Sequence, residues 1–182
     1  MGIPTLIADN SADTTDLTSI SFTSGIDSTY DEYMFVIINI NPAEDERRFE
    51  FNASDDTSSW SYDIVKTTAV FSSWHSEADS TDGLSYETGD DLAASTAYQK
   101  IMHAMEGFDA DSSGCGILHL FAPSSTTYAK NFYLRTISVH SDPRATDYFV
   151  AGYFNTTAAI TALEFKMSSG NFDGLIQMYG IA

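Results

Sequence analysis

The side chains of this chain alternate with a period of two. Arg48, Glu50 and Asn52 alternate with Phe49 and Phe51, Ser19 and Ser21 with Ile20 and Phe22, and Glu164 and Lys166 with Leu163, Phe165 and Met167. Successive side chains of an extended chain point to opposite faces, so this alternation marks strands with one face on a core and one toward water. Tyr33 to Ile40 (YMFVIINI) is apolar on both faces and reads as a central strand covered on both sides. Tyr128 to Val139, Tyr148 to Phe154, Phe172 to Ile181, Ile117 to Phe121 and Ile64 to Phe71 are further strand candidates, rich in aromatic and β-branched residues. Asp91 to Glu106 allows a short helix, but Gln99, Ile101, His103 and Met105 equally form one strand face. Tyr98 to Met105 is therefore read as a strand.

Turn signals separate these runs, among them Ser24-Gly25, Asn41-Pro42, Asp82-Gly83, Asp142-Pro143 and Ser169-Gly170-Asn171. Many short strands without alternating helices predict an all-β chain: one antiparallel β-sandwich of roughly ten strands, jelly-roll-like, spanning residues 1–182. The 182 residues suit one domain. The polar stretches Ala53 to Ser61 and Ser72 to Asp91 read as exposed loops at one end of the sandwich, where binding surfaces are usual.

Charge narrows the partners. Twenty-six acids against eight bases give a formal net charge of -18, which repels phosphate backbones, so no nucleic acid is expected as a partner. Met1 to Asp9 lacks the basic start and long apolar stretch of a signal peptide, and no apolar run approaches the ~20 residues of a membrane helix. Assembly in a cytoplasm, without membrane insertion, is the expectation. Cys115, the only cysteine, excludes an intramolecular disulfide and reads as a small buried apolar residue.

No catalytic apparatus is legible. There is no G-x-S-x-G elbow, no H-E-x-x-H pair and no phosphate-cradling glycine loop. His75, His103, His119 and His140 fall one per element and read as structural or surface residues. The chain is therefore read as non-enzymatic, without cofactors. Two local patterns remain. Asp109, Asp111 and Ser113, followed by Gly114, resemble the opening of a calcium loop. The bidentate acid is missing, since Leu120 stands in its place, so a polar turn is the better account and calcium the minor one. Trp60, Tyr62 and Trp74 lie in or beside the polar stretches, where flat aromatics stack on sugar rings, anchor an interface or fold back over the core edge.

Several segments resemble virion structural proteins of bacteriophages of marine bacteria. They are Phe22 to Tyr33 (FTSGIDSTYDEY) running on to Asn39-Ile40-Asn41-Pro42, Gly83 to Gly89 (GLSYETG), Leu118 to Tyr128 (LHLFAPSSTTY), Phe165 to Gly174 (FKMSSGNFDG) and Met178 to Ile181 (MYGI). They are collinear over nearly the whole chain. The resemblance implies a jelly-roll-like sandwich present in many copies on a symmetric particle, and it supplies no catalytic residue. It leads to a capsid decoration or cement protein that binds the shell, with the major capsid protein as main partner and the chain as a homo-oligomer such as a trimer. The alternative is a tail or fibre component that recognises the host surface through a glycan. A polysaccharide hydrolase or lyase on the same scaffold has only fold analogy behind it.

Overall fold

The structure, a computed structural model, describes residues 3–107 and 109–182. It contains twelve strands and, among the described residues, no helix: β1 Thr5–Asp9, β2 Ile20–Phe22, β3 Glu32–Pro42, β4 Arg47–Ser54, β5 Lys66–Ser76, β6 Asp82–Tyr86, β7 Gln99–Met105, β8 Gly114–Phe121, β9 Lys130–His140, β10 Arg144–Phe154, β11 Ala162–Met167 and β12 Phe172–Ile181. Every pairing is antiparallel. The hydrogen-bonded order β1-β12-β3-β8-β9-β10-β5-β6 forms a large layer and β7-β4-β11-β2 a small one. Among the described residues, the only strand pairing that joins the two is that of β7 with β9, through the register pair Met105 and His140. A bulge carries that corner: Ala104, at a φ of 43°, sits in an extra-residue step of β7 against β4 and turns its end onto β9.

Period-two patterning explains why the layers close on one another. Phe49 and Phe51 of β4, Phe165 of β11 and Phe22 of β2 point inward from the small layer. Phe35, Phe132, Phe154 and Phe172 answer from the large one. Phe165 is the hub, with ring centroids 5.6 to 6.3 Å from those of Phe22, Phe35, Phe49 and Phe51. These eight rings are buried almost completely, and edge-on and stacked geometries contribute beyond area alone.

Three sequence readings need correction. The stretch from Ser72 to Asp91 is not a loop: Ser72 to Ser76 continues β5, and Asp82–Tyr86 is the edge strand β6. β5 pairs with β10 over its full length, so serines there are held by ladder bonds and not by apolar burial. The central strand β3 is covered on one side only, because Met34, Val36 and Ile38 remain partly exposed. Cys115 is half-buried on that same outer side, where its Sγ accepts a hydrogen bond from the Asn39 amide at 3.4 Å.

Candidate functional site

Two surfaces stand out, one on each side of the large layer. The outer surface follows from register. Val36, Ile117, Arg135, Phe149, Phe71 and Tyr86 lie side by side across β3, β8, β9, β10, β5 and β6. A second row runs Met34, His119, Tyr133, Ala151, Ala69, and a third brings Cys115 and Ile137 beside Asp147, Ser73 and Leu84. Tyr133 is 48% exposed, Ile137 56% and Leu84 72%. Phe71 and Phe149 stack at 4.7 Å, and the Arg135 guanidinium lies 4.7 Å over Phe149. Val36, Ile38, Cys115, Ile117, Tyr133 and Ile137 line a shallow apolar trough.

Charge on this surface is sparse and internally matched. Arg135 donates through Nε and a terminal nitrogen to the two oxygens of Asp147, at 2.9 and 2.7 Å. His119 pairs with Glu32 at 2.5 Å. The outer surface of the small layer is the opposite in kind, carrying Arg48, Glu50, Lys100, Glu164 and Lys166. There Lys166 lies 4.2 Å over the Tyr98 ring, and Tyr98 donates to Glu164 at 2.6 Å. Burial, reinforced by that bond, holds the Tyr98 hydroxyl well above its ordinary range.

The second surface is a cleft between β7, the edge of the small layer, and the inner faces of β9, β10, β5 and β6. Inward-pointing positions supply Ser72 and Trp74 from β5, Ser85 from β6, His140 from β9, and Arg144, Thr146 and Tyr148 from β10, with His103 of β7 and Glu87 opposite. The cavity measures about 220 Å³. Asp90 anchors its floor and is 4% exposed. Lys100 Nζ and His103 Nδ1 each donate to it at 2.7 Å, and the Tyr148 hydroxyl donates to the same oxygen as His103. Burial alone would raise the Asp90 carboxyl, but these three donors outweigh it and hold the group well below the usual carboxylate range. Burial, then the Asp90 charge, drives the Tyr148 hydroxyl far up.

The two cleft histidines stack, ring centroids 6.1 Å apart, and Tyr148 lies 6.2 Å from His103 on a near-parallel plane. Burial, helped by the Arg144 charge, lowers His140 to about 4, so it is neutral at pH 7. The Asp142 amide donates to its Nδ1 at 2.9 Å, while an Arg144 guanidinium nitrogen lies 2.7 Å from its Nε2. A neutral imidazole accepts at one nitrogen only, so one of these contacts sets donor against donor. Arg144 Nε and Thr146 Oγ1 are buried without a hydrogen-bond partner. Asp90 orients His103 as a carboxylate orients a general base.

The structure separates the aromatic residues singled out in the sequence. Trp60, 36% exposed, and Tyr62 lie in the segment joining β4 to β5, where the Tyr62 carbonyl accepts from Asn52 Nδ2 at 2.5 Å. Ser21 and Glu164 influence the Tyr62 hydroxyl, which burial pushes up, so this residue belongs to the polar outer face of the small layer. Trp74 is on β5 and walls the cleft, with the Arg144 guanidinium 5.7 Å over its ring. Asp109, Asp111 and Ser113 form the turn before β8, closed by a bond from the Ser112 amide to the Asp109 carbonyl at 3.0 Å. Asp111 and Ser113 border a depression with Asn39 and Asp173, and Asp109 does not. No group of three His, Cys, Asp or Glu side chains among the described residues could hold a metal. Sequence reasoning missed the meeting of His103 with His140. Their separation in the chain hides it, and only the inward phase of β7 and β9 could have signalled it.

No family model, no curated protein and no solved structure matches the chain.

Proposed function

We propose that this chain is a non-enzymatic structural subunit of a bacteriophage particle: a capsid decoration protein that binds the shell, contacts the major capsid protein and self-associates through the outer face of its large layer. The observation that carries the self-association is that apolar face, whose register rows run over five or six strands. Five strand spacings span about 24 Å, and the six steps from Tyr133 to Val139 add about 20 Å along β9, on the order of 500 Å² in projection. That is the size at which exposed apolar patches are usually functional. With its side-chain relief it supplies much of the roughly 800 Å² per partner of a standard interface.

A second copy is the occupant that the charge distribution favours. Two chains of net charge -18 repel wherever their acidic surfaces meet, and this face holds little unmatched charge. Arg135 and Asp147 lie together near its middle, so a two-fold related copy can exchange those partners without stranding either ion. The virion setting rests on the sequence resemblance. The alternative, a tail or fibre component that reads a glycan, draws on Trp74, the one singled-out aromatic that walls a cavity.

Light scattering on the purified chain, with Ile137→Asp beside the wild type, tests the interface. The expected result is a multiple of 19.9 kDa for the wild type and a folded monomer for the variant. A wild type that stays monomeric at all concentrations overturns self-association. Quantitative proteomics of purified virions tests the setting: hundreds of copies support decoration, and a few tens confined to the tail favour the alternative.

A further inference from the structure

We infer that the inner cleft is a binding site for a small organic carboxylate of about the size of one hexuronate ring, its carboxylate held by Arg144 and Thr146 beside His140. The inference does not rest on the decoration reading, which concerns the opposite side of the large layer.

Unmet hydrogen-bonding capacity inside an otherwise satisfied site is the starting point. Thr146 is 5% exposed, yet its hydroxyl has no partner, and the buried Arg144 Nε one strand position pair away is also unpaired. Leaving a buried polar group unsatisfied costs about 1 to 3 kcal/mol. Both belong to β10 residues that line the same cavity, since Arg144 and Thr146 are two apart on the inner face. His140 adds a third unmet requirement, because either its Nδ1 or its Nε2 faces a donor as a donor. An oxyanion placed beside Arg144 and Thr146 removes the first two deficits together. It accepts from Arg144 Nε–H and from the Thr146 hydroxyl, beside the ring of His140, whose Nδ1 keeps the Asp142 amide.

Carboxylate is favoured over phosphate by what else faces the cavity. Glu87 lines it and accepts from Ser72 at 2.6 Å, and Asp90 lies beneath His103. Against these stand Arg144 and Lys100, with His140 neutral, so the site tolerates one added negative charge better than two. Glu87 in turn offers an acceptor to ligand hydroxyls. At about 220 Å³ the cavity lies below the usual range for drug-sized ligands and suits one sugar-sized ring, with Trp74 as an apolar wall. The Arg144 guanidinium is already seated over that indole, so little order remains to be imposed on binding.

Titration of the full chain with glucuronate, followed by calorimetry and by histidine NMR signals, tests the site, with glucose as the neutral comparison. The expected result is saturable binding of glucuronate, perturbation of His140, and binding of glucose weaker by roughly tenfold or more. Thr146→Val keeps the side-chain shape and separates function from folding. It removes an unpaired hydroxyl, so it raises Tm without ligand and weakens glucuronate by roughly tenfold. A glucuronate-capped disaccharide separates the sources: binding like that of the free acid marks a glycan terminus, and exclusion marks a free metabolite, each on the same carboxylate site. Equal affinity for glucose and glucuronate overturns the inference. So does a wild type without saturable glucuronate binding, and a Thr146→Val variant that loses stability would then make the cavity a water-filled structural space.

Discussion

Lys66 and Lys130 show what single residues cost this fold. Both are fully buried, both open a strand, and both register against Phe154. Each donates its ammonium to the carbonyl two residues earlier: Lys66 to Ile64 at 3.2 Å and Lys130 to Tyr128 at 3.0 Å. Each also reaches a second carbonyl, Ala97 at 2.6 Å and Thr156 at 3.2 Å. Backbone carbonyls satisfy the hydrogens but bring no full negative charge, so burial pushes Lys66 down to about 8. The sign for stability follows. Between about pH 8 and the unfolded value of 10.5 the unfolded chain binds the extra proton, so stability rises with pH through that window. At neutral pH the buried charge costs on the order of 3 kcal/mol. Lys66→Met removes that charge and should flatten the rise from pH 8 to 10.5, as read from urea unfolding at several pH values. An unchanged slope would mean that another group titrates there. Nothing local in the sequence marks these lysines as buried: Lys66 lies within a strand candidate, but its inward phase depends on pairing with β10.

Strands that pack their own apolar face were legible, and those held by neighbours were not. Phe49, Phe51 and Phe165 alternate so plainly that β4 and β11 follow from the sequence, as do the inward halves of β9 and β12. β7 resolved as a strand because Gln99, Ile101 and Met105 all face inward. β1 and β6 went unread, each being a short edge strand whose residues are mostly exposed. β6 depends on a close approach instead. At Gly83 a Cβ would lie 2.4 Å from the Trp74 ring, so the glycine lets the β6 backbone rest on the indole. Gly83→Val must displace Trp74, which holds Arg144 and walls the cleft. Hydrogen exchange should then show lost protection in Asp82–Tyr86 and the facing part of β5, with β4, β11 and β12 unchanged. Uniform loss across all twelve strands would show that β6 is integral to global stability. The cleft was invisible in the sequence for a related reason. Its residues come from five separate strands and the segment after β6, and only Trp74 carried a local signal.

For the molecule as a whole, the decisive asymmetry is between charge and apolar surface. Eight bases face twenty-six acids, and two of those bases, Lys66 and Lys130, are buried and donate to backbone carbonyls. Arg135 and Lys100 are each committed to one acid, so most of the remaining surface is unneutralised and repels itself. Salt screens such repulsion within about 10 Å at 0.1 M, whereas the core of stacked phenylalanines is not weakened by it. Raising NaCl from 0.01 to 1 M should therefore increase Tm by roughly a few degrees and tighten self-association together. An interface held mainly by ion pairs would respond in the opposite sense, weakening as salt rises while the monomer gains stability. Differential scanning calorimetry and sedimentation across the same salt series separate the two. Parallel movement of Tm and association supports contact through the apolar outer face, where salt lowers the overall repulsion between two chains of charge -18 and the contact does not depend on an interfacial ion pair for it to weaken.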